Sequence, residues 1–256
     1  MIVRFADWTR PVPPVRREVL SALPHPDEGR PPLLFVPGLG HGAWAFREHW
    51  LGHVAERGFP AYALSPRKNG TLRAYAHDVV QAAAALPRQA VLVGHGTGAL
   101  VVAHALGRYP ARAAVLAAPV VHGWSALGAM LRANPVGTLP ALFGGHLSLA
   151  AGQLFGEEST AVDATVARLV RTPAATCRSL LRAPEPGRPV GAPPVLVLGS
   201  PDDRIVTRAA LDRAAARHGG GAPLLFPGMG HALMLETRWK EPVDALLDWL
   251  VKELAR

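Results

Sequence analysis

The sequence predicts one α/β domain built on a mostly parallel sheet with helices on both faces. Three observations predict it. Short strand-like runs alternate with longer helical segments, an order that calls for crossover connections and so for parallel strands. The strand-like runs are apolar without a polar side, as strands covered on both faces are. The length, 256 residues, suits a single core of this kind.

The elements follow in order. Residues 33–37 (LLFVP) form an apolar run that ends in Pro37-Gly38, a buried strand entering a turn. Helical spacing covers 44–57, with Trp44, Trp50 and Val54 on the apolar side. A short strand is expected at 61–64, and an Ala-rich helix at 72–86 stopped by Pro87. A strand at 90–93 runs into the turn Gly94-His95-Gly96-Thr97-Gly98, and a helix follows to about 108. Strands are expected at 113–117, 194–198 and 223–226, and helices at 207–218 and 236–254. Ahead of these, prolines at 11, 13, 14, 24, 26, 31 and 32 leave room for one strand at 16–22.

The stretch 119–190 breaks the alternation. It is rich in Gly, Pro and Ala, with helical pieces at 160–171 and 173–182. It is expected to be an insertion that caps one end of the sheet. Ligands of open α/β sheets bind at the carboxyl ends of the strands, so such a cap would cover the site.

Composition narrows the function classes. Hydrophobic residues make up 49% and charged residues 18%, which is globular. The formal charge is +8, but the basic residues are scattered arginines, with lysine only at Lys68, Lys240 and Lys252. No run of like charge marks a nucleic-acid surface, so none is expected as a partner. Met1–Pro14 contains Arg4, Asp7 and Arg10 and no apolar signal core. No apolar run nears the roughly 20 residues of a membrane helix. The lone cysteine, Cys177, is compatible with a reducing compartment, and a cytoplasmic location is expected. No Cys/His cluster has metal spacing, and neither metal nor cofactor is expected.

The chemistry concentrates in four segments. VLVGHGTGALVVAHAL (91–106) is a glycine-rich strand-turn-helix. FVPGLGHGAW (35–44) is a glycine-rich turn after a strand. VLGSPDDRIV (197–206) carries two acids after a late strand, and PGMGHALMLE (227–236) carries a histidine before the last helix. Together, from about Leu33 onward, they resemble the α/β-hydrolase fold superfamily. They match its nucleophile elbow, oxyanion loop, acid loop and histidine loop in the order nucleophile, acid, histidine.

The resemblance implies His231 as the base and Asp203 as the acid that holds its tautomer. Asp202 is a direct rival, and Asp203 is preferred because it precedes x-Ile-Val. The backbone N–H groups of Leu39 and Thr97 are implied as the oxyanion hole. Where the family has its serine, this chain has Gly96. Thr97, Ala99 and the short loop 66–70 depart from the family pattern as well. Without a nucleophile at 96 the acyl-enzyme route is closed there, and a void is expected where the serine oxygen would sit. The elbow's central residue usually has positive φ, which glycine adopts freely, so Gly96 also fits drift after loss of activity.

His41, Trp44, His95, His122 and Trp124 are candidates to flank the pocket, with Phe143 and Phe155 as further apolar candidates in the cap. Thr97 and Ser200 are conceivable substitute nucleophiles, although the Thr97 side chain is expected to point away from the pocket. Cys177 is expected to be inert.

A His-Asp base with a backbone oxyanion hole and no nucleophile suits proton abstraction beside a carbonyl: elimination, cyclisation or isomerisation of a small, mostly apolar carbonyl compound. Hydrolysis by direct water attack, a serine enzyme with its serine replaced by glycine, and a non-catalytic binding protein stay open. So does the oligomeric state.

Overall fold

The computed structural model describes residues 11–120, 123–157, 159, 162–218 and 221–255. Among these residues seven strands form the main sheet: β1 (Val19–Ala22), β2 (Leu33–Val36), β3 (Ala61–Leu64), β4 (Val91–His95), β5 (Ala113–Ala117), β8 (Val195–Gly199) and β9 (Leu224–Leu225). Their order is β1-β3-β2-β4-β5-β8-β9. Among the described residues of this sheet only the β1–β3 pair is antiparallel. Every residue of β2, β4, β5 and β8 is buried, which is why those sequences show no polar alternation. The edge strand β1 alternates exposed and half-buried residues instead.

Helices α1 (Trp44–Arg47), α2 (Trp50–Glu56), α3 (Leu72–Ala84), α4 (Thr97–Leu106), α10 (Arg208–Arg217) and α11 (Lys240–Leu254) belong to the sheet core. The Thr71 and Thr207 side chains accept the Ala74 and Ala210 N–H groups, each at 3.3 Å, and start α3 and α10. Such caps contribute about 1 kcal/mol each. The single helix expected over 44–57 is two, because His49, at φ −139°, leaves helical geometry. Trp50 then turns inward, where its indole N–H donates to the Trp239 carbonyl at 3.2 Å. The last helix begins at Lys240 rather than 236, after a 3-10 turn at Leu233–Leu235. Pro242 in its first turn is tolerated because those N–H groups have no helical acceptor.

Between β5 and β8 the chain forms α5 (Gly123–Ala133), α6 (Pro135–Leu142), β6 (His146–Leu147), α7 (Ala151–Leu154), α8 (Val162–Val166), β7 (Thr172–Pro173) and α9 (Ala174–Leu181). Strands β6 and β7 pair as an antiparallel ribbon, which the sequence pattern did not announce. The helical pieces expected at 160–171 and 173–182 correspond to α8 and α9. This segment lies over the oxyanion-type loop. The Val170 N–H donates to the Gly40 carbonyl at 2.9 Å, the Arg168 guanidinium sits 4.2 Å from the Trp44 ring centre, and Arg168 also pairs with Glu48.

A buried charge cluster anchors the chain before β1. Asp78 on α3 is 1% exposed and accepts Arg17 at 2.6 Å and two of the Arg67 nitrogens, Nη2 and Nε, at 2.6 and 2.7 Å. A carboxylate so deep is tolerable only when paired and hydrogen-bonded.

Candidate active site

The turn between β4 and α4 is built by its glycines. Gly96 has φ +56° and ψ −121°, a backbone region where side chains are strained. A Cβ on Gly94 would fall 2.6 Å from Ala99 Cα, and one on Gly98 would collide with the Val36 carbonyl. The three glycines therefore let helix, strand and neighbouring strand meet at van der Waals distance. The turn points Gly96 at the carboxyl end of the sheet, where the acid and histidine loops also emerge.

His231 Nδ1 is 2.8 Å from Asp203 Oδ2, so the ring donates its Nδ1–H to the carboxylate. Asp203 Oδ1 accepts the Ile205 and Val206 N–H groups at 2.7 and 3.0 Å, which fixes the carboxylate plane. Both side chains are buried. Asp202 does a different job: its Oδ2 accepts the Gly228 N–H at 2.7 Å and ties the acid loop to the histidine loop. Ser200 Oγ accepts the Asp202 N–H at 3.0 Å and stays inside that turn, away from the pocket.

The space above Gly96 differs from expectation. His231 Nε2 lies 2.9 Å from where a Cβ on Gly96 would be. That is closer than side-chain carbons approach a ring nitrogen, so the imidazole itself fills part of the volume expected to be void.

Thr97 also differs. Its side chain does not point away: Oγ1 accepts the Leu39 N–H at 2.8 Å. The Leu39 donor expected in the oxyanion hole is thus already engaged, and the Thr97 hydroxyl proton becomes the free donor beside it. The reason is local. Oγ1 lies across from the loop after β2, whose Gly38 approaches Thr97 N closely enough that a Cβ there would be 3.5 Å away.

These groups open onto a mostly apolar cavity. Its walls include Leu127, Met130, Leu142, Leu149, Leu154 and Ile205, and its floor carries His41, His95, His231 and Thr97. His41 Nδ1–H donates to the Leu39 carbonyl at 3.0 Å, and His95 Nε2–H to the His231 carbonyl at 2.9 Å. Burial pushes His41 down to about 4 and His95 well below the usual imidazole range. Cys177 is part of the wall as well, and burial pushes its thiol up to about 11. It is a protonated, poorly nucleophilic group at neutral pH.

Two pocket candidates lie elsewhere. Trp124 is 67% exposed at the start of α5, and Leu127 and Met130, one and two turns on, take the wall positions instead. Trp44 stacks on His41 at 5.8 Å and borders an adjoining groove that shares Leu39, His41 and Thr97 with the cavity. Phe143 is 85% exposed, and Phe155 is buried in the core. His122 lies outside the described residues. Among the described residues no cluster of three or more His, Cys, Asp or Glu is arranged to hold a metal.

One residue escaped the sequence pattern. Glu236 is 4% exposed, and its Oε1 accepts the Gly230 N–H at 2.6 Å and the Gly156 N–H at 2.8 Å. It locks the histidine loop to the end of α7, one residue before His231. The available signal was its place five residues after the histidine, ahead of the last helix.

The model of the Alpha/beta hydrolase family matches residues 33–248. The chain belongs to the alpha/beta hydrolase family. Among solved structures, a monoacylglycerol lipase from Paleococcus ferrophilus is 19% identical with a TM-score of 0.70, over 93% of this chain and 100% of that one. An esterase from Thermogutta terrifontis is 17% identical with a TM-score of 0.65, over 93% of each chain. Polyneuridine aldehyde esterase is 16% identical with a TM-score of 0.66, over 86% of this chain and 98% of that one. At these identities the likeness is one of fold. A search of curated proteins finds no match. No helix among the described residues is long and apolar enough to cross a membrane.

Proposed function

We propose that this alpha/beta hydrolase family member is an enzyme that moves a proton at a carbon beside the carbonyl of a small, mostly apolar metabolite, without a covalent intermediate at residue 96. The observation that carries this reading is the buried His231–Asp203 pair, bonded at 2.8 Å and aimed at a residue with no side chain. A decayed site would have no reason to keep both partners buried and aligned.

In the proposed step, the neutral Nε2 of His231 takes the proton from the carbon. The electron pair of that C–H bond moves into the carbonyl system and forms an enolate. Nδ1–H remains on Asp203, whose charge stabilises the imidazolium. The enolate oxygen is met by the Thr97 N–H and the Thr97 hydroxyl, which the Leu39 N–H polarises. In an elimination the enolate pair forms a C=C bond, the bond to a leaving group on the next carbon breaks with its electrons, and the leaving group takes the proton from Nε2. Return of the proton to another carbon of the enolate system completes an isomerisation. Attack of the enolate carbon on a second carbonyl of the same molecule, whose oxygen then takes the proton, completes a cyclisation.

Hydrolysis by a His231-activated water is the second reading, favoured by the esterase and lipase relatives. The test is turnover and affinity of His231→Ala on substrates found by metabolite screening. Loss of turnover by about 10²–10⁴-fold with retained affinity supports the base; unchanged turnover rules it out, and no turnover in either protein favours a binding protein. Label from ¹⁸O-water in a product carboxylate would select hydrolysis over the first reading.

A further inference from the structure

The histidines on the pocket floor carry information about the bound molecule beyond the reaction. His41, His95 and His231 form a chain, with ring centres 5.9 Å apart for the first pair and 4.7 Å for the second. Each ring uses its one N–H on the protein: on the Leu39 carbonyl, the His231 carbonyl and the Asp203 carboxylate. The other nitrogen of each neutral ring is therefore a bare acceptor. His41 Nε2 and His95 Nδ1 are buried, and no group among the described residues donates to them. The side of Gly38 that lacks a Cβ faces His95 Nδ1, since a Cβ there would be 3.5 Å from it. Buried polar atoms in native proteins nearly always find a partner, in the protein, in water or in a ligand.

The other polar side chains described on the cavity wall do not supply the missing donor. The Thr138 hydroxyl donates to the Met130 carbonyl at 3.3 Å, and the Cys177 thiol is directed at the Thr172 carbonyl. Among the described residues no Arg or Lys lines this cavity, and the basic side chains Arg67, Lys68 and Arg171 line the adjoining groove instead, so a carboxylate held inside the cavity would find lone pairs and no positive charge on its walls.

We propose that the pocket takes an apolar, carboxylate-free molecule that presents a hydroxyl group, phenolic or enolic, whose proton is accepted by His41 Nε2. This names a substrate class for the reading under "Proposed function" and rests on that reading's pocket. Burial keeps His41 neutral at ordinary pH, so the acceptor persists across the range in which the protein works. An ether of the same shape offers no proton, and its oxygen would face the nitrogen lone pair.

The test titrates the protein with 2-naphthol and with 2-methoxynaphthalene, followed by their own fluorescence. One additional hydrogen bond predicts about fivefold tighter binding of 2-naphthol. His41→Phe keeps a flat ring and removes the acceptor; it should bring the two affinities together. His41→Gln, which restores an acceptor oxygen, should recover part of the preference. The wild-type comparison needs no variant to fold. Equal affinities in the wild type, binding of neither probe, or a preference that survives His41→Phe would overturn the proposal. Because binding is read apart from turnover, the two ideas fail separately. A missing naphthol preference beside His231-dependent turnover removes only the hydroxyl assignment. A clear preference in a protein without turnover keeps the hydroxyl site and removes the enzyme.

Discussion

Adding a side chain at Gly96 probes the site most directly. Two costs follow from the structure. The backbone sits at φ +56° and ψ −121°, where a side chain is strained by about 1–3 kcal/mol. The new Cβ would also lie 2.9 Å from His231 Nε2, so the ring must back away by several tenths of an ångström. That movement presses the ring toward Asp203 and distorts their 2.8 Å bond, a charge-assisted contact that tolerates little displacement. Together, Gly96→Ala or Gly96→Ser should lose about 2–4 kcal/mol of stability. With a urea slope of about 3 kcal/mol per molar for a chain of this size, the midpoint falls by roughly 1 M. The ring shift is read independently from the ¹⁵N and ¹H resonances of the His231 Nδ1–H, which should move from their wild-type positions. If Gly96→Ala unfolds at the wild-type urea concentration with an unchanged His231 resonance, both the positive φ and the ring position are refuted.

Other predictions follow from the same structure. His41 is held at about 4 when folded and returns to about 6.5 when unfolded, so the unfolded chain binds the extra proton. Its contribution is present above pH 6.5 and is lost as pH falls toward 4, by about 1.4 kcal/mol per unit and about 3 kcal/mol in all. Urea midpoints at pH 7.5, 5.5 and 4.5 should show that slope, and His41→Phe should flatten it by one proton's worth. Asp78→Ala leaves Arg17 and Arg67 without their shared carboxylate and should cost about 3–5 kcal/mol in thermal or urea unfolding; a loss below 1 kcal/mol would mean solvent reaches the pair. Glu236→Ala strands the Gly230 and Gly156 N–H groups and should cost about 2–5 kcal/mol. It should also speed hydrogen exchange at residues 229–232, whereas exchange confined to wild-type rates would show that the carboxylate does not hold the histidine loop.

Much of this architecture is local and therefore legible in the chain itself. Strands β2, β4, β5 and β8 are apolar because both faces of the sheet are covered, and that composition is visible residue by residue. The elbow is legible for the same reason: glycines at 94, 96 and 98 answer contacts and a φ value that belong to one strand-turn-helix. The order elbow, acid, histidine pointed to His231 and Asp203. What the sequence could not decide lies in contacts between segments distant along the chain. Asp202 and Asp203 are chemically identical neighbours, and only the arrival of His231 on one and Gly228 on the other separates them. Thr97 reads as an outward helical residue until the Leu39 N–H, 58 residues earlier, comes within 2.8 Å of its hydroxyl. Glu236 looks like a surface acid until two buried N–H groups converge on it. Hydrophobic period and turn chemistry act over a few residues and so are written in the sequence; hydrogen-bond direction, burial and the approach of His231 to Gly96 exist only once the chain has closed on itself.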